Sequence, residues 1–299
     1  MRYKSGIQNP AGDRIFIFGI YLFLSVITIL VFYPLLYILS SSFSSPEAVV
    51  SGRVWLWPVE PTFMGYEAVF SHPQVMTGFA NSLFYTLVGS AINVALTVMI
   101  GYPLSKVTFY GRNAITAILI FTMLFSGGLI PLYLTVKSLG ILDTRWAMIL
   151  PTGLSVFQAI IARTFFQMTI PKELSEAAEL DGSSDIGFMA RIVIPLSKPI
   201  IAVLFLMYAV GHWNAYFDAL IYLKSPDLYP LQIVLRNILI LNQIDLSMVI
   251  DVEEMMKRQY LKDLLKYSLI VVAITPILVL YPFVQRFFIK GVMIGSLKG

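Results

Sequence analysis

Four carboxylates crowd one short stretch of an otherwise apolar chain. Between Lys172 and Asp181 stand Glu173, Glu176, Glu179 and Asp181, with Lys172 as the lone cation, a local charge of −3. On a helix Leu174, Ala177, Ala178 and Asp181 fall at i, i+3, i+4 and i+7 and share a face. The chemistry on offer is docking. Two central alanines let another surface come close, and the surrounding carboxylates suit a groove that is partly basic. A helix that merely rests on lipid usually turns Lys and Arg toward anionic headgroups, and this one is acidic. The candidate docking residues are Glu176, Ala177, Ala178, Asp181 and Gly182.

A second constellation has a different use. Gly211, Asn214 and Asp218 recur at i, i+3 and i+7 within an apolar run, flanked by Trp213, Tyr216 and Phe217. Aromatic faces beside an amide and a carboxylate can stack on and hydrogen-bond a sugar, which makes Trp213, Asn214, Phe217 and Asp218 a candidate solute pathway. Polar groups inside a membrane segment tend to face protein or a water-filled cavity. The competing reading is that Trp213 and Asn214 pack and hydrogen-bond between helices. Asp218 lies close enough to one helix end to be simply solvated.

Other chemistries find little to work with. The chain has no cysteine, and its two histidines, His72 and His212, are too isolated for a metal site, so metal and redox chemistry are not expected. No G-x-x-x-x-G-K-[ST] phosphate loop occurs, and ATP is not expected to be hydrolysed here. A membrane-embedded enzyme lacks a His, Cys or paired-carboxylate constellation. The net charge of +4 is spread without aromatic-interleaved basic clusters, which speaks for membrane orientation and not for nucleic acid.

The elements that carry these residues follow from composition. The 299 residues are 58% hydrophobic and 13% charged, against about 25% charged for soluble domains. The expected fold is an all-α polytopic membrane protein. A hydrocarbon core about 30 Å thick needs about 20 apolar residues per crossing. Six segments meet this: Ile15 to Leu39, Ser82 to Leu104, Ala114 to Val136, Met148 to Phe166, Ile200 to Leu223 and Tyr267 to Ile289. Asn214 would lie about 20 Å from the start of the fifth. Met1 to Arg14 is polar and no small-residue cleavage pattern follows the first run, so that run reads as a transmembrane helix and not a signal peptide.

An even number of crossings puts both termini on one side. With the N-terminus inside, twelve of the 21 Lys and Arg fall on inner segments, among them Arg14, Lys106, Arg163 and Lys172, and nine on outer ones. The excess points to cytoplasmic termini and a cytoplasmic acidic loop. The expected organisation is a cytoplasmic N-terminus at 1–14, a six-helix domain at 15–289 that includes the loop at 167–199, and a tail at 290–299. Ser40 to Ala80, with Trp55, Trp57, Pro58, Pro61 and Tyr66, suits the membrane interface. Lys224 to Lys266 carries Val252, Met255, Met256 and Leu264 at near-helical spacing, an amphipathic helix that would cap outer helix ends or dock an outside partner.

Within the loop, Pro171 suits a first helical position. Gly182 can end the helix in a left-handed conformation, and Ser183 or Ser184 can cap a second short helix toward Arg191. The product is a helix-turn-helix. Ser126-Gly127-Gly128 followed by Pro131 should weaken the third span, as a hinge, a gate or a site of close packing. Pro34, Pro103 and Pro276 suggest kinks.

Glu176-Ala177-Ala178, three residues, Gly182, nine residues and Ile192-Val193-Ile194-Pro195 resemble the Glu-Ala-Ala signature of ABC importer permeases, with Ile194 in place of the usual Leu. Ile170 to Pro199 is similar to the carbohydrate-uptake branch. Asn81-Ser82-Leu83, Leu139 to Thr144, Trp213-Asn214 and Lys290-Gly291 resemble the smaller maltose-type subunit, so the likeness covers nearly the whole chain. It implies a type I permease of the bacterial inner membrane, paired with a second permease as a heterodimer. It also implies two ATP-binding subunits, which hold the ATP and Mg, and an extracytoplasmic solute-binding protein. Glu176, Ala177, Ala178, Asp181 and Gly182 would then transmit nucleotide-driven closure. The implied cargo is an oligosaccharide, acidic (uronide-type) or neutral. The alternative, an ion-gradient-driven transporter, would favour interrupted helices, midplane carboxylates and internal repeats; Asp218 is the only strong intramembrane acid and no repeat is visible.

Overall fold

Residues 11–241, 265–282 and 285 are described by the computed structural model. They group into two units, 1–71 with 244–272 and 72–243 with 273–299. The first begins with α1 (Ala11–Ser42), followed by α2 (Pro46–Val50) and α3 (Met64–Ser71). The apolar residues of α1 are bare on every side: Ile15 is 73% exposed and Leu30 68%. Water would not tolerate such a helix, and lipid or another membrane subunit must cover it.

The buried end of α1 is a run of serines that ties the next segment down. Ser40 Oγ donates to the Leu56 carbonyl at 2.6 Å, and Ser44 Oγ accepts from the Val59 amide at 3.0 Å. Ser45 caps α2 through the Ala48 amide and donates to Glu60 at 2.6 Å. That hydroxyl and Arg53, 2.8 Å away, hold the Glu60 carboxyl below its ordinary range. Trp57 stands 81% exposed nearby, in keeping with an interfacial segment.

The second unit is built on α4 (Pro73–Phe84), which runs through a wide i→i+5 turn at Tyr85–Gly89 into α5 (Ser90–Ser105). Then come α6 (Arg112–Leu124), α7 (Leu129–Ser138), α8 (Val156–Thr169), α9 (Lys172–Leu180), α10 (Asp185–Phe188) and α11 (Ile194–Leu196). The unit continues with α12 (Lys198–Trp213), α13 (Phe217–Tyr222) and α14 (Leu231–Arg236). A last helix, α15 (Leu265–Pro282), starts in the first unit and ends in the second.

Helices α5, α8 and α12 share a core of Val94, Val98, Ala162, Phe166, Leu204 and Tyr208. Gly101 makes the α5–α8 approach possible, because a Cβ there would meet the Ala162 methyl at 3.1 Å. Beyond the Trp213 end, α4 clamps the segment that follows α13. Asn81 Nδ2 donates to the Asp227 and Tyr229 carbonyls at 2.7 and 3.2 Å, and Ser82 Oγ accepts from the Leu231 amide at 2.8 Å.

The helical, membrane-type fold is as expected, but several spans differ from the sequence reading. Among the described residues, α1, the α4–α5 helix and α15 are long and apolar enough to cross, and two bent pairs raise the possible crossings to five. The second span starts at Pro73, nine residues early. The expected Ala114–Val136 span is broken between α6 and α7 by a 115° bend. Gly127-Gly128 interrupts it there, with Gly128 at φ +89. Only Val156 onward is helical in the fourth, because Pro151 and Gly153 keep the chain before it irregular. The fifth ends at Trp213 instead of Leu223. The amphipathic segment at Val252, Met255, Met256 and Leu264, the first ten residues and the tail at 290–299 lie outside the described residues.

Candidate functional site

The acidic segment folds as two short helices joined by a tight turn. Pro171 precedes α9 as its cap, one position earlier than expected, and its fixed φ feeds the chain into the first turn. At the other end Gly182 adopts φ +71. Its amide donates to the Glu179 carbonyl at 3.1 Å and the Ser183 amide to Ala178 at 2.9 Å. This is a Schellman closure, which satisfies the last carbonyls and needs a left-handed residue at the glycine. Ser184 Oγ then accepts from the Gly187 amide at 3.1 Å and opens α10. A wide turn, Met189–Val193, carries the chain to α11, and α12 departs at 82°.

The two alanines, about 100° apart around the helix, have different surroundings. Ala178 is buried in the cluster that holds Tyr102, Phe166 and Phe188, whereas Ala177, Glu176, Asp181 and Gly182 are exposed. A nine-residue helix laid over that cluster must spend one small side chain on its underside. The outward surface has two apolar residues that heptad-style counting overlooked, Leu180 at 90% exposed and Ile186 at 76%. Acids around bare apolar side chains make a surface suited to a partner with a basic rim.

Lys106, one residue past α5, ties this segment to the bundle. Its Nζ lies 3.3 Å from Asp185 Oδ1 and 3.5 Å from Ser175 Oγ, so one cation touches both short helices. The same ammonium sits 5.1 Å from the Tyr102 ring centre and 5.6 Å from that of Phe188. Arg163 Nε donates to the Leu104 carbonyl at 3.1 Å and closes the end of α5 against α8.

The four residues of the expected solute pathway do not converge. Trp213 is buried, donates from Nε1 to the Ala273 carbonyl at 2.9 Å and meets the Phe79 ring edge-on at 5.7 Å. Asn214 folds its amide back onto the Val210 carbonyl at 2.9 Å, and Phe217 stands 56% exposed. The helix break after Trp213 cancels the i, i+3, i+7 alignment. Gly211 and Asp218 nevertheless line one cavity of about 290 Å³ with Asn93, Gln158, Tyr208 and His212.

Polar and apolar side chains share its lining. Asn93, Gln158 and His212 are buried, yet Asn93 Oδ1, Gln158 Oε1 and His212 Nε2 have no hydrogen-bond partner. Tyr208 is fully engaged: its hydroxyl accepts from the Ser155 amide at 3.1 Å and pairs with Thr97 at 2.7 Å. Sequence reasoning missed Asn93 and Gln158. The available signal was polar side chains inside apolar helices, which are costly unless they face protein or water.

A helical membrane protein with a cavity among its helices and a folded, charged segment at their ends has the architecture of a transport subunit. Protein LplC of Bacillus subtilis (strain 168) is 42% identical over 293 residues, 98% of this chain and 98% of that protein. The polygalacturonan/rhamnogalacturonan transport system permease protein YtcP of the same strain is 40% identical over 288 residues, 96% and 99% of the two. A chain in the crystal structure of a bacterial ABC transporter involved in the import of the acidic polysaccharide alginate superposes with a TM-score of 0.84. It is 32% identical, and the match covers 94% of this chain and 99% of that one. No protein-family model matches. The chain belongs to the permease subunits of ABC transporters, and its long apolar helices are those of a membrane protein. That membership displaces the ion-gradient alternative.

Proposed function

We propose that this chain is one permease of a heterodimeric, ATP-driven, solute-binding-protein-dependent importer of an oligosaccharide, and that the segment from Pro171 to Leu196 is its contact with an ATP-binding subunit. The carrying observation is the closed turn at Gly182, which presents Glu176, Ala177, Leu180 and Ile186 outward while Lys106 anchors the segment beneath. A rigid, anchored element is what mechanical transmission requires. ATP and Mg reside on the partner subunits. The names of the relatives, polygalacturonan/rhamnogalacturonan for one and alginate for another, support a carbohydrate cargo. The distribution of Lys and Arg supports cytoplasmic termini and a cytoplasmic segment.

Closure of the motor subunits on ATP can shift the permease only through contacts that differ between its two states. The docked segment supplies such contacts, and α12, which leaves it directly, receives the movement. Uptake assays on the complete importer test this. Glu176→Lys or Gly182→Pro should abolish uptake while the chain still inserts in the membrane, and normal uptake by both would remove the segment from the mechanism.

A further inference from the structure

The end of α1 carries a small two-sided platform. Ser40, Ser41, Ser42 and Ser44 are buried where the chain from Phe43 to Phe63 folds back on them. Besides the bonds from Ser40 and Ser44, the Ser45 amide donates to the Val59 carbonyl at 3.2 Å and the Thr62 amide to the Phe43 carbonyl at 2.8 Å. Ala48 and Val54 form the covered side, and Val50, Trp55, Leu56, Trp57 and Phe63 the bare one. Trp55 is 68% exposed and Trp57 81%. Neither indole N–H has an acceptor among the described residues. Glu60 stands at φ +50, a backbone state that a non-glycine residue keeps only where its surroundings fix it. Ser45 and Arg53 do so through the carboxylate, which makes the platform a built element and not a loose loop.

Its depth follows from α1. The bare apolar run from Ile15 to Leu39 is roughly 37 Å long at the helical rise, against a hydrocarbon core about 30 Å thick. The last turn of α1 therefore reaches the headgroup layer. The Leu56 carbonyl, 2.6 Å from Ser40 Oγ, is held at that level, and Trp55 and Trp57 flank it. Water disfavours two bare indole faces, and acyl chains offer an N–H no acceptor. The ester and phosphate oxygens at the edge of the acyl region satisfy ring and N–H together.

We propose that Trp55 and Trp57 bind the phospholipid headgroup layer, with their rings at the boundary between acyl chain and glycerol and their N–H groups on ester or phosphate oxygens. The pair is a lipid anchor at the end of α1. This inference needs α1 to lie in a bilayer and does not depend on the importer function.

Tryptophan fluorescence of the complete assembly in phosphatidylcholine nanodiscs tests it. The emission that Trp55→Phe/Trp57→Phe removes should be quenched at least two-fold more by acyl chains brominated next to the glycerol than by chains brominated near the methyl end. Each single variant should remove part of that signal. Ser40→Ala, which releases the Leu56 carbonyl, should reduce the quenching while the chain still inserts. A nitroxide on Trp57→Cys, read against the unsubstituted assembly because the chain has no cysteine of its own, gives a second measure. Membrane-dissolved oxygen should relax it at least two-fold more than an aqueous nickel chelate does. No quenching by either bromolipid would leave the indoles in water, and stronger quenching from the methyl end would sink them in the acyl core. Shielding that appears only with added solute-binding protein, or an emission shift only with added oligosaccharide, would name a protein or a sugar as the occupant. Each of these results overturns the assignment.

Discussion

Lys106 Nζ stands 3.3 Å from Asp185 Oδ1, and the two partners are unequally placed: the lysine side chain is 24% exposed and the aspartate 87%. Such a pair, open to water on one side, contributes about 0.2–1 kcal/mol at most. Its value is positional, because the same ammonium also reaches Ser175 on the other short helix and lies over two rings. Asp185→Asn should therefore leave the melting temperature of the purified complex within a few degrees of wild type. Lys106→Met, which keeps the aliphatic stem but removes the charge, should reduce uptake more than Asp185→Asn, with ATP hydrolysis less responsive to solute. If both variants lowered thermal stability alike and left the solute response intact, the residue would be a packing element only.

Asp143 offers a pH-dependent contact away from the cavity. It holds φ +56, and its carboxylate accepts from the Ser225 hydroxyl at 2.6 Å and from the Ser225 and Lys224 amides at 2.9 and 2.8 Å. The Ser225 hydroxyl first, and then the two amides, hold its pKa below the ordinary 3.8. A depressed carboxylate contributes stability that is complete above its unfolded value and is lost as pH falls through the folded one. Asp143→Ala should lower the melting temperature at pH 7, with the gap to wild type closing as pH falls below the ordinary carboxylate range. A gap that stayed constant with pH would assign the effect to the αL backbone instead. Asp143→Asn separates the two, since asparagine tolerates that conformation.

Gly182 tests the turn that closes α9. At φ +71 an L-residue pays about 1–2 kcal/mol, while nothing lies within 4 Å of where its Cβ would be. The penalty is thus conformational and not steric. Gly182→Asn should retain most uptake, Gly182→Ala less, and Gly182→Val least, with hydrogen exchange at the Ser183 and Gly182 amides rising in the same order. Equal uptake across the series would show that the closure is dispensable.

Much of the acidic segment was legible because its signals are local. Gly182 as the terminator and Ser184 as the cap act on amides two to four residues away, which is the range that a sequence pattern reports. The inward turn of Ala178 and the exposure of Leu180 and Ile186 were not, since they depend on Tyr102 and Phe188 arriving underneath from distant positions. The cavity was harder still. Trp213, Asn214 and Phe217 drew attention by composition, but the helix stops at Trp213, whose indole is spent on the Ala273 carbonyl. Asn93, Gln158 and Asp218 line one cavity only because α5, α8 and α13, far apart in the chain, come together around it.

Gly89 and His212 supply a direct test of how closely the helices of this unit pack. Gly89 closes the wide turn at Tyr85–Gly89, and the imidazole of His212 lies against it. A Cβ there would sit 2.6 Å from Nε2, 2.8 Å from Cε1 and 2.9 Å from Cδ2. Three ring atoms at once leave no small rotation that relieves the clash, and both residues are buried. Gly89→Ala should then cost about 1–3 kcal/mol through overpacking, although alanine is the better helix former. The added methyl must displace the ring from its seat against the turn, so stability should fall. His212→Ala removes the obstacle, and the double variant should recover most of the thermal stability lost in Gly89→Ala. A double-mutant cycle by differential scanning calorimetry on the complex measures that recovery. Strict additivity would mean that glycine serves the wide turn itself, through backbone freedom, and not the approach of the imidazole.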